Sequence, residues 1–306
     1  MACPGLLVEA FTEAPCGGNG AAVVLLDRPL AAEPMQALAR SLNQSETAFL
    51  LRHPDGWLLR WFTPSCEVNL CGHATLAATL ALGHWGQLEP GAAVSLHSRS
   101  GPLAVALQGA AGTASIVLPS GGLNAANPSP ALEAYLHQHL AVGAQAHWTS
   151  PLGYCVVLLP SAAPLAGTPL PAEALPAEVR GGLVLMQPLP AASGDGQPAQ
   201  ASSPQVLGEA CDYQIRFLAP GLGIAEDPVT GSAHALVAPW WLERLGLERV
   251  RGWQCSDRPG GMVCEAASSG MIRLSGAGHL LWHGSLQLGC CGTRDLDACG
   301  WNSLLA

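Results

Sequence analysis

Apolar residues in this chain fall mostly into short runs punctuated by glycine and proline, the pattern of strands and turns; two longer Ala- and Leu-rich stretches read instead as buried helices. Leu6 to Ala10 predicts a first strand. The turn Ala14-Pro15-Cys16-Gly17-Gly18-Asn19-Gly20 then leads to a second at Ala21 to Leu26. Pro34 to Leu42 predicts a short helix, with Glu33 and Pro34 at its start, where the helix dipole and the fixed φ of proline favour them. A strand begins at about Thr47, which leaves Glu46 at the junction of a polar loop and an apolar run. Leu59 to Phe62 predicts a strand, and a polar loop ending at Cys71-Gly72-His73 opens the first long helix, which runs to Gly83.

Ala93 to Leu96, Leu103 to Leu107 and Ser115 to Leu118 read as further strands, and Gly121 to Pro130 as a linker. Beyond it lie a helix at Ala131 to Leu140, buried strands at Cys155 to Leu159 and Gly182 to Met186, and a polar surface excursion from Pro190 to Pro204. Gly252 to Ala266 suggests a hairpin turning at Arg258 to Gly261. Met271 to Leu274 and Leu280 to Leu288 close the strand series.

Leu59 to Gly83 has a counterpart in Ile215 to Gly246. With Arg60 set on Arg216, Phe62-Thr63-Pro64 falls on Leu218-Ala219-Pro220, Glu67 on Glu226 after a longer loop, and Gly72-His73-Ala74 on Gly231-Ser232-Ala233. Each copy offers a helix start after an acidic loop, where unpaired N–H groups and the positive dipole end can receive an anion. Strands outnumber helices, so the expected fold is α+β. It has two similar halves, each a curved mixed β-sheet wrapped around one central helix, with the two helix starts facing one cleft. The halves are placed at 1–120, with the helix near 72–83, and 128–306, with the helix near 231–246 and a final segment free to pack back on the first half.

Composition narrows the function. The chain has 306 residues, 49% hydrophobic and only 11% charged, without an apolar run of the ~18 residues a membrane span needs. Together with the absence of a signal-like start, this predicts a cytoplasmic protein. A net charge of −9 argues against nucleic acid or an anionic membrane as partner. The 11 cysteines show neither CxxC pairs nor metal-ligand spacing with histidine, so most are expected to be small buried hydrophobes. All 13 basic residues are arginine, which excludes a pyridoxal phosphate enzyme and a P-loop, since both need a lysine. GxGxxG, HExxH and GxSxG signatures are missing as well, so the chemistry is expected from side chains alone.

Several residues carry two readings each. Glu46 is either a solvated loop carboxylate or a base at a cleft edge with a raised pKa. Gly18 and Asn19 either permit the turn or let the backbone approach a ligand. His73, Asp227 and Ser232 are either local cap and turn residues or groups facing a substrate.

The stretches VEAFTEAPCGGNGAAVVLL, LNQSETAFLL, WFTPSCEVNLCGHATLAATLALG and GIAEDPVTGSAHALVAPWW, in that order, resemble the PhzF family of phenazine-biosynthesis-like isomerases, which shares the diaminopimelate epimerase fold. The resemblance implies proton transfer without cofactor or metal on a small carboxylate-bearing molecule, as in the isomerisation of trans-2,3-dihydro-3-hydroxyanthranilate. It implies Glu46 as general acid/base, with His73, Asp227 and Ser232 completing the catalytic set. Gly18, Asn19 and the amides of Gly72, His73, Gly231 and Ser232 would bind the substrate. Homodimers are common in the family, so the resemblance implies a homodimer as a partner arrangement. Two further readings stand beside this one: a non-catalytic small-molecule-binding or regulatory homologue, and an amino-acid epimerase. The epimerase branch uses two cysteines; Cys71 lies near one position, but Ile224 to Ser232 contains none, so a two-thiol mechanism is disfavoured and Cys71 reads as structural. Gly20 replaces the commoner proline of GGNP, Asn69 stands where the loop is often acidic, and the 190–204 excursion is unlike compact members.

Overall fold

Strand pairing follows the short apolar runs. The computed structural model describes residues 2–109, 112–190, 203–287, 295–297 and 299–305. They fall into two compact units, 1–117 with 275–306, and 118–274.

In the first unit, Ala2–Ala10 pairs antiparallel with Asn19–Leu26, which runs parallel to Glu46–His53; that strand pairs antiparallel with Gly56–Phe62, with Thr47 opposite Phe62. Gly56–Phe62 lies parallel to Ala93–Ser98 and antiparallel to the two residues Glu67–Val68. Hairpins continue the sheet through Gly101–Leu107 to Thr113–Pro119. A parallel pair needs a crossover, and both here have a helix: α1 (Ala32–Leu42) and α2 (Gly72–His84). In α2, residues on every face are buried, including Ala74, Leu76, Ala77, Ala78, Ala81 and Leu82, as expected of a helix that is apolar all round. The small side chains let strands pack closely on it. Gly278 shows how closely, since a Cβ there would lie 2.4 Å from Leu80 Cδ1.

The second unit repeats the order of pairings. Asn124–Ala126 and Ala146–Thr149 are antiparallel, as are Ala146–Thr149 and Cys155–Leu158; Cys155–Leu158 is parallel to Leu183–Pro188, which is antiparallel to Tyr213–Ala219. Tyr213–Ala219 lies parallel to Arg249–Gln254, and that strand forms a hairpin with Gly260–Ser268. Here α3 (Pro130–Leu140) joins the antiparallel strands Asn124–Ala126 and Ala146–Thr149 and contributes Leu132, Leu136 and Leu140 to the core, and α4 (Gly231–Leu245) is the crossover within the parallel pair. Ser129 caps α3 by accepting from the Leu132 amide at 3.0 Å, with Pro130 in the first turn. Each unit has its own core: Val24, Met35, Phe49, Phe62 and Trp301 in the first, Leu136, Val157, Leu185 and Leu218 in the second.

The structure differs from the sequence reading in several places. The second unit ends at residue 274, and the final segment that the sequence leaves free to pack back, 275–306, belongs to the first unit. The antiparallel ladder of Ala2–Ala10 with Met271–Gln287 holds the beginning of this segment and Trp301 its end, where the indole is fully buried and its N–H donates to the Leu30 carbonyl at 2.8 Å. Met271–Gln287 is one strand instead of two, because the ladder with Ala2–Ala10 carries it through Gly278. The presumed linker contains Asn124–Ala126, whose three residues are exposed and offer only backbone pairing, so no apolar pattern announces it. The hairpin turns at 255–259, and Gly260 and Gly261 are already in the strand. Most of the 190–204 excursion, 191–202, lies outside the described residues, as does Leu288. Among the described residues no helix is long and apolar enough to cross a membrane.

Candidate active site

The chemistry-bearing residues of the first unit meet at the start of α2. Glu46 is the first residue of its strand and His73 the second of the helix, and Glu46 Oε2 lies 2.9 Å from His73 Nε2, with both side chains largely buried. The N-cap residue Cys71 makes no side-chain cap; its Sγ sits 3.5 Å from His73 Nδ1. The first helical bond runs from the Thr75 amide to the Cys71 carbonyl, so the amides of Gly72 and His73 have no acceptor within the helix. Two neighbours steady the base. Ser45 donates to the side-chain oxygen of fully buried Asn19 at 2.9 Å, and the strand pairing sets Ala21 opposite Glu46.

The charges follow from this geometry. Burial alone would raise the Glu46 pKa, but the positive His73 and the contacts from His73 and Cys71 hold it below the usual carboxylate value. This corrects the sequence reading, in which burial at a loop-strand junction raised it: the decisive neighbour is a histidine 27 positions away. Burial, then the Glu46 charge, push the Cys71 thiol up to about 11. For His73, burial disfavours the charged ring, yet the flanking sulfur and carboxylate raise its pKa well above the ordinary range. Because Cys71 stays a thiol at neutral pH, it is Glu46 that holds the proton on His73. The resting pair is a carboxylate and an imidazolium.

A pH signature follows. A raised histidine pKa stabilises the fold below the unfolded value and loses that contribution as pH rises through the folded one. A lowered glutamate pKa stabilises it above the unfolded value and loses that contribution as pH falls. The stabilisation is therefore greatest between about pH 4.3 and 6.5, the two unfolded values. Tm measured for the protein and for His73→Gln should differ most in that window, and the gap should close on either side. A gap independent of pH would show that the pair carries no charge.

These three side chains offer nitrogen, sulfur and oxygen donors within 4.8 Å of one another, a set chemically able to hold a divalent cation such as zinc. Gly18 has φ +60, and a Cβ there would lie 2.3 Å from the Ala10 carbonyl oxygen, so its place in the turn already demands glycine. The turn is tied down further by the Cys16 amide, which donates to buried Glu9 at 2.5 Å.

In the second unit, Asp227 and Ser232 flank the start of α4. The Asp227 carboxylate accepts from Thr230 Oγ1 at 2.6 Å, while Gln254 donates to the Asp227 carbonyl at 2.6 Å and accepts from the Thr230 amide at 2.8 Å. Asp227 thus orders the loop entering Gly231. Ser232 makes no cap; its Oγ lies 3.3 Å from the Tyr154 hydroxyl. Sequence reasoning missed Gln254 and Tyr154. Gln254 opens the family-like stretch QCSDRPGGMV but is not singled out within it, Tyr154 lies in no such stretch, and each reaches α4 from a distant strand or turn.

The family model described as phenazine biosynthesis-like protein (PhzC-PhzF) matches residues 8–281. An uncharacterized isomerase of Pseudomonas aeruginosa is 36% identical over 284 residues, covering 89% of this chain and 93% of the relative. The mouse phenazine biosynthesis-like domain-containing protein 1 is 31% identical over 321 residues, with 94% and 99% covered. A crystal structure of a PhzF-family phenazine biosynthesis protein from Enterococcus faecalis matches with a TM-score of 0.79 at 29% identity, over 94% of this chain and 100% of that one. A probable proline racemase from Agrobacterium radiobacter, 13% identical with a TM-score of 0.58, shares the fold.

Proposed function

The chain belongs to the phenazine biosynthesis-like (PhzC-PhzF) family, and we propose that it is a cofactor-independent isomerase moving a proton between two carbons of a small carboxylate-bearing substrate. The observation that carries this reading is the buried Glu46–His73 pair at the open start of α2. Glu46 takes a proton from a carbon whose electron pair can delocalise toward the substrate's carboxylate. Negative charge then passes from Glu46 to the substrate. His73, still protonated, and the free amides of Gly72 and His73 face that charge without reorganising, so they stabilise it as it forms. Glu46, whose carboxyl hydrogen exchanges with solvent in the interval, returns a proton to a second carbon, and the substrate neither gains nor loses atoms or electrons overall.

Asp227, Ser232 and the amides of Gly231 and Ser232 are proposed as substrate-binding groups, and Gly18 and Asn19 as the turn that shapes the approach to Glu46. The family resemblance makes trans-2,3-dihydro-3-hydroxyanthranilate the first substrate to try. Incubated with the protein in deuterium oxide and followed by NMR, it should isomerise and take up solvent deuterium at the carbon that gains the proton. A substrate that binds yet neither isomerises nor exchanges at any pH would overturn the reading in favour of a binding protein.

A further inference from the structure

The two units do not carry the same chemistry at equivalent positions, and the difference points to Tyr154. In the first unit Thr47 lies opposite Phe62, two residues after Arg60, and Glu46 precedes it. In the second, Leu183 lies opposite Leu218, two residues after Arg216, so the position of Glu46 is taken by Gly182. That glycine cannot be exchanged for a carboxylate: its φ is +158, and a Cβ would lie 2.6 Å from Tyr154 Cδ1 and 2.9 Å from Phe217 Cε2. The Tyr154 ring fills the space. It packs against Phe217 with centroids 4.8 Å apart, at the end of a turn in which the Ser150 amide bonds the Tyr154 carbonyl at 2.9 Å. Held this way, its hydroxyl reaches the second residue of α4, as Glu46 reaches the second residue of α2.

We propose that Tyr154 is a positioning residue for carboxylate recognition: it donates to Ser232 Oγ and so leaves the Ser232 hydrogen free to point at a substrate carboxylate oxygen. The proposal rests on the isomerase reading for its substrate class. A phenol is more acidic than an aliphatic hydroxyl, so in this pair the phenol is the donor. It also stays protonated: burial, opposed by the bond to Ser232 and reinforced by the Asp227 charge, raises its pKa. The 3.3 Å separation is longer than the usual ~2.7–2.8 Å of such bonds, which commonly tighten only when substrate is bound. With Ser232 oriented, its hydroxyl and the first amides of α4, which have no helical acceptor, can grip one carboxylate together.

Anthranilate, a carboxylate on a six-membered ring, is a suitable probe because its binding needs no turnover. Titration calorimetry on the protein, Tyr154→Phe, Ser232→Ala and the double variant should show affinity lower by about five- to tenfold in Tyr154→Phe. Ser232→Ala should lose at least as much, and the double variant no more than Ser232→Ala alone. A merely structural tyrosine would instead give additive losses, since its effect would not pass through Ser232. In turnover, Tyr154→Phe should raise KM and leave kcat nearly unchanged. Unaltered affinity in Tyr154→Phe, additive losses in the double variant, or no binding of anthranilate to the unsubstituted protein would each overturn the proposal. If the isomerase reading failed, deuterium exchange would be absent while this coupling persisted.

Discussion

Glu46→Gln is expected to lower isomerisation and solvent exchange by about a thousandfold or more, within or above the range typical for removal of a general acid/base. Two losses combine in this variant. The amide cannot accept the carbon-bound proton, and without the carboxylate the buried His73 no longer holds its own proton, because Glu46 is what opposes the cost of burying that charge. The positive group that faces the developing anion disappears with the base. Glu46→Asp keeps the charge and should recover part of the rate, limited by its shorter reach, whereas His73→Gln keeps the base and should lose less than Glu46→Gln. The rate profile of the unsubstituted protein should be a broad plateau. Its acid limb lies below the ordinary glutamate value of about 4.3, since Glu46 is depressed, and its alkaline limb lies above the ordinary histidine value of about 6.5, since His73 is raised. NMR in deuterium oxide reads both the rate and the exchange; exchange undiminished in Glu46→Gln would remove Glu46 from the mechanism.

What could be seen in the sequence was whatever is written locally or repeated. The α2 and α4 starts were legible because a polar loop gives way to an apolar helix at a glycine, twice. Setting Arg60 on Arg216 brought Glu67 onto Glu226, and in the structure both arginines clasp those same glutamates through two bonds. Glu46 and His73 could be named as candidates, but their contact could not, since it depends on strand register. For the same reason the direction of the Glu46 pKa was misread: burial was inferable, the imidazolium was not. Tyr154 was silent because a lone tyrosine after a glycine carries no pattern, and its relation to Ser232 spans 78 positions. The return of the C-terminal segment to the first unit rests on its ladder with Ala2–Ala10 and on the Trp301 bond to the Leu30 carbonyl, pairings between distant positions that local periodicity does not show.

Arg60→Met should be the most destabilising single change in the first unit, at about 3–5 kcal/mol, the cost of stranding a buried partner charge. Arg60 is 2% exposed and bonds Glu67 through Nε at 2.7 Å and Nη2 at 2.8 Å; its Nη1 donates to the Cys299 carbonyl at 2.9 Å, and the guanidinium lies over Phe62 and Trp301. Three segments converge on one planar cation: the strand Gly56–Phe62, the loop to α2 and the C-terminal turn. Arg99 also reaches Glu67, at 2.8 Å, but it is partly exposed and cannot replace the bidentate bond. The loss should appear as a fall in Tm on the order of 10 °C. Replacing both partners, Arg60→Met with Glu67→Leu, should restore much of it, because an apolar pair leaves no buried charge unmet. Activity should separate the two variants from the reverse side. Glu67 lies in the loop that delivers Cys71, Gly72 and His73, so a double variant that regains stability should still lose rate if the ion pair also sets the start of α2. A Tm lowered by only a degree or two in Arg60→Met would mean that the pair is worth no more than a surface bridge, and that the loop is held by its backbone alone.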